Sequence, residues 1–136
     1  MKEIADTGII VALLTRNDPF HHWALAAFRA HCPFHTCDAV LAEAASFFQD
    51  PVGLLRLVSR GDLVIDTEFL LARELSGVLA LVTKYADRPM DLADACLVRM
   101  TELVPRCRVW TVDRRDFAAY RRHGRHAIPC EFPQER

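Results

Sequence analysis

Apolar positions along the chain fall into short unbroken runs that alternate with stretches of helical spacing. Residues 3–5 read as a short strand leading into a helical stretch near 8–15. Asp18-Pro19 marks a helix start, with Asp18 as cap and Pro19 in the first turn. Behind it Phe20, Trp23, Ala24, Ala27 and Phe28 recur at helical spacing. Pro33 ends that helix, and residues 34–37 make a second strand. Asp38 is expected to cap the next helix, and Pro51 to open a short one that stops at Gly61. Residues 63–65 are a third strand. Thr67 then caps a long helix whose expected core face is Leu71, Leu75, Val78, Leu79, Val82 and Tyr85. Pro89 begins a helix that runs to about Val104, and residues 108–112 form a fourth strand. A last helix turns Phe117 and Tyr120 inward, and Ala127-Ile128 is a candidate short fifth strand.

Strands alternating with helices imply a parallel sheet covered on both faces and joined by right-handed crossovers. At 136 residues the chain is expected to be a single domain over 1–136. Its 51% hydrophobic and 26% charged residues are ordinary for a globular protein. No apolar run approaches the length of a spanning helix, and the N-terminus lacks a secretory core, so no membrane association and a cytoplasmic location are expected. Five cysteines without a CxxC pair read as reduced thiols.

Composition changes the picture most through where the acids stand. Asp6 ends the apolar segment Ile4-Ala5, Glu43 interrupts Ala39-Val40-Leu41-Ala42, Asp94 sits in Leu92-Ala93-Asp94-Ala95-Cys96, and Asp113 ends Val109-Trp110-Thr111-Val112. Acids among apolar neighbours are costly to bury unless paired or bound to a cation. Each has a plain structural alternative: a turn at Asp6, a helix-start charge at Asp94 with Asp91, and a cap at Asp113 with Asp116. Glu43 is the hardest to explain in that way. Ligands in a parallel sheet bind beyond the carboxyl ends of the strands, and Asp6 and Asp113 both fall at such ends. Carboxylates gathered there would suit Mg²⁺ or Mn²⁺.

The net charge of −1 gives no global attraction to nucleic acid. Arg114, Arg115, Arg121, Arg122 and Arg125 nevertheless crowd the last quarter of the chain. They read either as a solvated face or as a phosphate-contacting strip beside Asp113.

The ordered set of motifs resembles the PIN-domain family. Asp6-Thr7-Gly8-Ile9-Ile10-Val11, followed by Asp18-Pro19-Phe20-His21-His22-Trp23-Ala24, resembles the family's opening. Ala42-Glu43-Ala44, Met90-Asp91-Leu92-Ala93-Asp94-Ala95 and Thr111-Val112-Asp113-Arg114-Arg115-Asp116-Phe117 resemble its later acidic motifs. The resemblance spans about residues 3–132 and is strongest to the VapC-like ribonucleases of toxin–antitoxin pairs. It implies a three-layer α/β/α sandwich with a central, mainly parallel sheet of four to five strands. It also implies an Mg²⁺- or Mn²⁺-dependent endoribonuclease whose catalytic and metal-holding acids are Asp6, Glu43, Asp94 and Asp113. Thr7, Asp91, Thr111 and Asp116 would support them, and Arg114, Arg115, Arg121 and Arg122 would contact RNA. A cognate antitoxin protein and a homodimer are the partners it implies.

Rival readings are weaker. A phosphorelay receiver, with Asp66 as phosphoacceptor, needs adjacent acids after the first strand and a late lysine; Asp6 stands alone and the only lysines are Lys2 and Lys84. A dehalogenase-like phosphatase needs DxD where Asp6-Thr7-Gly8 stands. A flap-type nuclease needs more acids and an arch insertion. A non-catalytic PIN-fold interaction protein would have no reason to keep all four acids. His31-Cys32-Pro33-Phe34-His35-Thr36-Cys37 invites zinc, but a proline and an alternating strand set its side chains apart.

Overall fold

The computed structural model describes residues 1–134; Glu135 and Arg136, the last two of the expected single domain, lie outside the described residues. In chain order the elements are β1 (Lys2–Ala5), α1 (Thr7–Leu14), α2 (His21–His31), β2 (Phe34–Thr36), α3 (Asp38–Ala45), α4 (Val52–Ser59) and β3 (Leu63–Ile65). They continue with α5 (Leu71–Lys84), α6 (Leu92–Leu103), β4 (Cys107–Trp110), α7 (Arg114–Ala119), β5 (Arg121–Arg122), β6 (His126–Ala127) and β7 (Cys130–Glu131).

The main sheet is wholly parallel, in the order β3-β2-β1-β4-β7. The chain therefore builds outward from β1 on one side and returns to build outward from β4 on the other. That reversal lies between β1 and β4, where an open parallel sheet leaves a crevice beyond its carboxyl edge. The two strands run level, Lys2 beside Cys107 and Ala5 beside Trp110. The residues that follow them, Asp6 and Thr111, thus emerge side by side.

Burial explains the elements. Ile4, Ala5, Phe34, Leu63 and Val109 are fully buried in the strands. Ala93 and Ala95 to Val98 make α6 an interior helix, packed against α3, α5 and β4. α1 starts directly after β1 because Asp6 caps it, accepting the Thr7 N–H at 2.7 Å. Gly8 lets that first turn close on the next loop: a Cβ there would stand 2.4 Å from Val112 Cγ2. The five cysteines are free thiols.

Several expected boundaries move. α2 begins at His21 after Phe20; Asp18 instead accepts the Phe20 N–H at 2.8 Å in the preceding turn. Cys37, not Asp38, is the residue flanking α3, and Asp38 is its first residue. α5 starts at Leu71 without a side-chain cap, so Thr67 does not cap it. α6 starts at Leu92, three residues past Pro89, with Asp91 as cap.

The fifth strand is Cys130–Glu131, parallel to β4. Residues 126–127 instead join Arg121–Arg122 in a separate antiparallel pair.

The apolar face expected for α5 is the largest correction. Only Val78 and Leu81 of this helix are buried, while Leu75 and Leu79 are 59% and 63% exposed. Its packing against α6 uses one edge of a broad apolar surface and leaves the rest in solvent.

Candidate metal centre at the β1–β4 crevice

Four elements bring acids to the crevice. Asp6 follows β1 and caps α1. Asp94 sits in the first turn of α6, Asp113 is the N-cap of α7, and Asp116 lies in the first turn of α7. Carboxylate oxygens of Asp94, Asp113 and Asp116 all lie within 4.8 Å of one another. The N-termini of α1 and α6 also favour negative charge at this edge.

Hydrogen bonds orient each acid. The Thr111 hydroxyl donates to Asp6 Oδ2 at 2.6 Å, and its oxygen accepts the Asp113 N–H at 3.0 Å. Asp113 Oδ1 accepts the Asp116 N–H at 3.0 Å, and Asp91 Oδ1 accepts the Asp94 N–H at 2.8 Å. Tyr120 donates its phenol hydrogen to Asp94 Oδ2 at 2.8 Å. Arg88 forms an ion pair with Asp116 at 3.3 Å.

These carboxyls resist ionisation. Burial pushes Asp94 up to about 7, with the charges of Asp6, Asp91 and Asp113 adding to it and the Tyr120 hydrogen bond opposing it. Burial likewise pushes Asp6 up to about 6; the Thr111 and Thr7 hydrogen bonds hold it down, while Glu43 and Asp113 push it further. Burial also raises Asp113; the Asp116 N–H hydrogen bond holds it down, while the Asp116 and Asp91 carboxyls push it further.

The donor set fits a hard divalent cation. All its atoms are oxygens, they are crowded at ligand spacing, and like-charge repulsion within the cluster is what a cation would relieve. One further observation agrees: Thr7 Oγ1 is buried beside Asp6 without a hydrogen-bond partner among the described residues.

Placement of the expected residues is uneven. Asp94 and Asp113 converge, and Asp116, expected only as a supporting residue, joins them at ligand spacing. Asp6 is tied to the group through Thr111. Glu43 lies on α3 within electrostatic reach of Asp6 but outside the close cluster. Thr111 and Asp91 orient neighbours as described.

The arginines divide. Arg115 is exposed, and Arg114 stacks over Phe132 at 4.6 Å while donating to the Pro133 carbonyl. The Arg121 guanidinium donates to the carbonyls of Ala118 and Tyr120 at the end of α7. Arg122 is 8% exposed and donates to the Val104 carbonyl at 3.1 Å, so its guanidinium serves the interior instead of an RNA-facing strip.

Sequence reasoning missed Tyr120, read only as an inward aromatic, and Arg88. For Tyr120 the available signal was its phenol: a buried hydroxyl needs a partner, and an isolated buried acid offers one.

A parallel sheet sandwiched by helices, with acids gathered at its switch point, is the PIN-like α/β/α fold, and this chain has it. The crystal structure of Mycobacterium tuberculosis VapC20, described as a sarcin–ricin loop cleaving toxin, is similar to it with a TM-score of 0.72. The alignment covers 87% of this chain and 95% of that one at 15% identity. No family model and no curated protein sequence matches the chain.

Proposed function

We propose that this protein is a divalent-metal-dependent endoribonuclease, the toxin of a toxin–antitoxin pair, that hydrolyses RNA phosphodiesters. The observation that carries the reading is the convergence of Asp94, Asp113 and Asp116, with Asp6 linked to Asp113 through the Thr111 hydroxyl, at the crevice of a PIN-like fold. The similarity to a toxin described as cleaving the sarcin–ricin loop supports the same class of activity.

Asp94, Asp113 and Asp116 would hold Mg²⁺ or Mn²⁺, with Asp6 and Glu43 adding negative charge around it. A bound ion supplies Lewis acidity toward the phosphodiester and activates water for attack. The chain's own residues do the rest. Thr111 locks Asp6 and the Asp113 backbone in one arrangement, Tyr120 holds Asp94, and Asp91 anchors the first turn of α6 that carries it. Arg88 offsets the charge of Asp116. The exposed Arg115, and Arg114 and Arg121 near it, supply cations for the RNA backbone.

A protein partner is supported by the exposed apolar residues Leu75 and Leu79 of α5 and Phe47 after α3. Such surface fits an antitoxin or a second copy of the chain. No helix among the described residues is long and apolar enough to cross a membrane.

The test is cleavage of total RNA by purified protein with Mg²⁺ or Mn²⁺, with EDTA, and by Asp94→Asn. Discrete fragments that vanish with EDTA and with the variant are expected. Failure of well-folded, metal-supplied, partner-free protein to cut any RNA would turn the assignment toward a non-catalytic PIN-fold interaction protein. Cleavage together with loss of toxicity on co-expressing a neighbouring small protein would separate a toxin from a stand-alone nuclease.

A further inference from the structure

A cavity of about 540 Å³ opens beyond the ends of β4 and β7 and is lined by Phe20, Trp23, Trp110 and Phe132, with His22 and Glu131 among its polar groups. Trp23 and Trp110 stand 5.9 Å apart at 40°, a splayed pair and not a closed stack. Trp110 is buried at the floor, packed by Arg108, His31 and Phe34, while the half-buried Phe20 and Trp23 border the open volume.

Shared walls connect the cavity to the sequence neighbours of the acids. Phe20 and Pro19 also wall a second cavity of about 250 Å³, bordered by Thr7, Gly8 and Val112. Thr7 follows Asp6, and Val112 precedes Asp113. Arg114, next to Asp113, stacks over Phe132 on the aromatic cavity's wall at 4.6 Å. The two cavities share Pro19 and Phe20 as walls, so the ring-lined recess lies one cavity away from the residues that neighbour Asp6 and Asp113.

We propose that this recess is a nucleobase subsite, taking one unstacked base of single-stranded RNA that flanks the phosphodiester cut at the acids. The inference rests on the ribonuclease reading and extends it to substrate binding. Aromatic rings take a base of any sequence through its π-face. The recess also offers polar groups for the base edge, and Arg114 supplies a charge for the intervening phosphate. Glu131 would repel RNA if bare; Arg108, which also pairs with Glu3, lies 3.1 Å from it and offsets part of that charge. A peptide side chain could fill the same volume; a cation beside the recess and a cluster suited to phosphodiester chemistry favour the nucleotide.

The chain itself supplies the reporter. Its 2 tryptophans are both in the cavity wall, so intrinsic fluorescence reads occupancy directly. Full-length protein in EDTA is titrated with a short single-stranded oligoribonucleotide, and binding is measured separately by anisotropy of an end-labelled copy. Binding is expected to quench tryptophan emission. Phe132→Ala should weaken binding about tenfold with an unchanged far-ultraviolet spectrum; Phe20→Ala is a second probe, should the first variant unfold.

Normal metal-dependent cleavage with no quenching, and wild-type RNA affinity in both folded variants, would overturn the subsite and leave the nuclease intact. Absence of both RNA binding and cleavage would overturn the two together. Quenching by an apolar peptide but not by RNA would reassign the recess to a protein partner.

Discussion

Tyr120 and Asp94 lie 26 residues apart in sequence and meet through one hydrogen bond of 2.8 Å, phenol to carboxylate, beside the acid cluster. The phenol ring is fully buried, edge-on to Phe117 and Tyr85 at 5.3 and 5.2 Å, so its hydroxyl can hardly move. Tyr120, at the end of α7, thereby fixes the orientation of Asp94 on α6.

Tyr120→Phe keeps the ring and removes the donor. Second-sphere losses of this kind typically cost about 10–100-fold in metal affinity or activity. A drop of that size is expected in metal-dependent RNA cleavage, measured by Mn²⁺ titration, with the melting temperature moving by only a few degrees. An unchanged metal requirement would mean that Asp94 is positioned by other groups.

The raised acids fix a pH dependence of stability in metal-free protein. Asp6 ionises near 6 and Asp94 near 7 in the fold, against about 3.9 in an unfolded chain. Between these values the native state holds more protons than the unfolded one, so stability falls as pH rises from about 4 to 7. For Asp6 the loss is on the order of 3 kcal/mol. Thermal melts in EDTA should therefore show higher stability near pH 5 than near pH 8. Mg²⁺ or Mn²⁺ should raise the melting temperature more at the higher pH.

Asp6→Asn removes one of the repelling charges. It should abolish cleavage, reduce that pH dependence to the part set by Asp94, and raise the melting temperature of the metal-free protein at pH 8. A variant that unfolds instead would make Asp6 a residue the fold requires charged.

Gly8→Ala would put a Cβ 2.4 Å from Val112 Cγ2. Overpacking of this kind costs typically about 1–3 kcal/mol, and here it pushes on the residue next to Asp113. Chemical denaturation should show the loss, with activity falling further than stability alone explains. By contrast, Gly53 has open space around its Cβ position and serves as the control.

Arg122 and Arg115 should separate cleanly. Arg122→Ala leaves the Val104 carbonyl without its donor and empties interior volume, for a loss of about 1–3 kcal/mol. Arg115→Ala should leave the melting temperature unchanged, weaken RNA binding, and reduce its salt dependence by about one counterion. Binding isotherms at several salt concentrations distinguish the two.

The alternation of strands and helices was legible because it rests on local patterning. Caps and starts were less so: Asp18, Asp38 and Thr67 all carry cap chemistry, yet the helices begin at His21, Asp38 and Leu71 with no side-chain cap bond, because a polar side chain near a helix start does not fix which residue the backbone turns at. Asp116 was open to two readings because a residue three positions after a cap has one signature for both. The structure gives it both parts: Asp113 caps its N–H, and its own carboxylate turns toward Asp94. The α5 face misled because helical periodicity marks an apolar stripe without saying what covers it; α6 covers Val78 and Leu81, while Leu75 and Leu79 stay in solvent.

By itself the sequence determined the parallel α/β class and the presence of acids at strand ends, since each depends on residues adjacent in the chain. Only the tertiary structure decided the strand order β3-β2-β1-β4-β7, the pairing of Cys130–Glu131 with β4, the junction of Tyr120 with Asp94, and the membership of the close carboxylate cluster. Those depend on side chains brought together across long loops, where packing and the cost of burying charge choose the partners and local propensity carries no information.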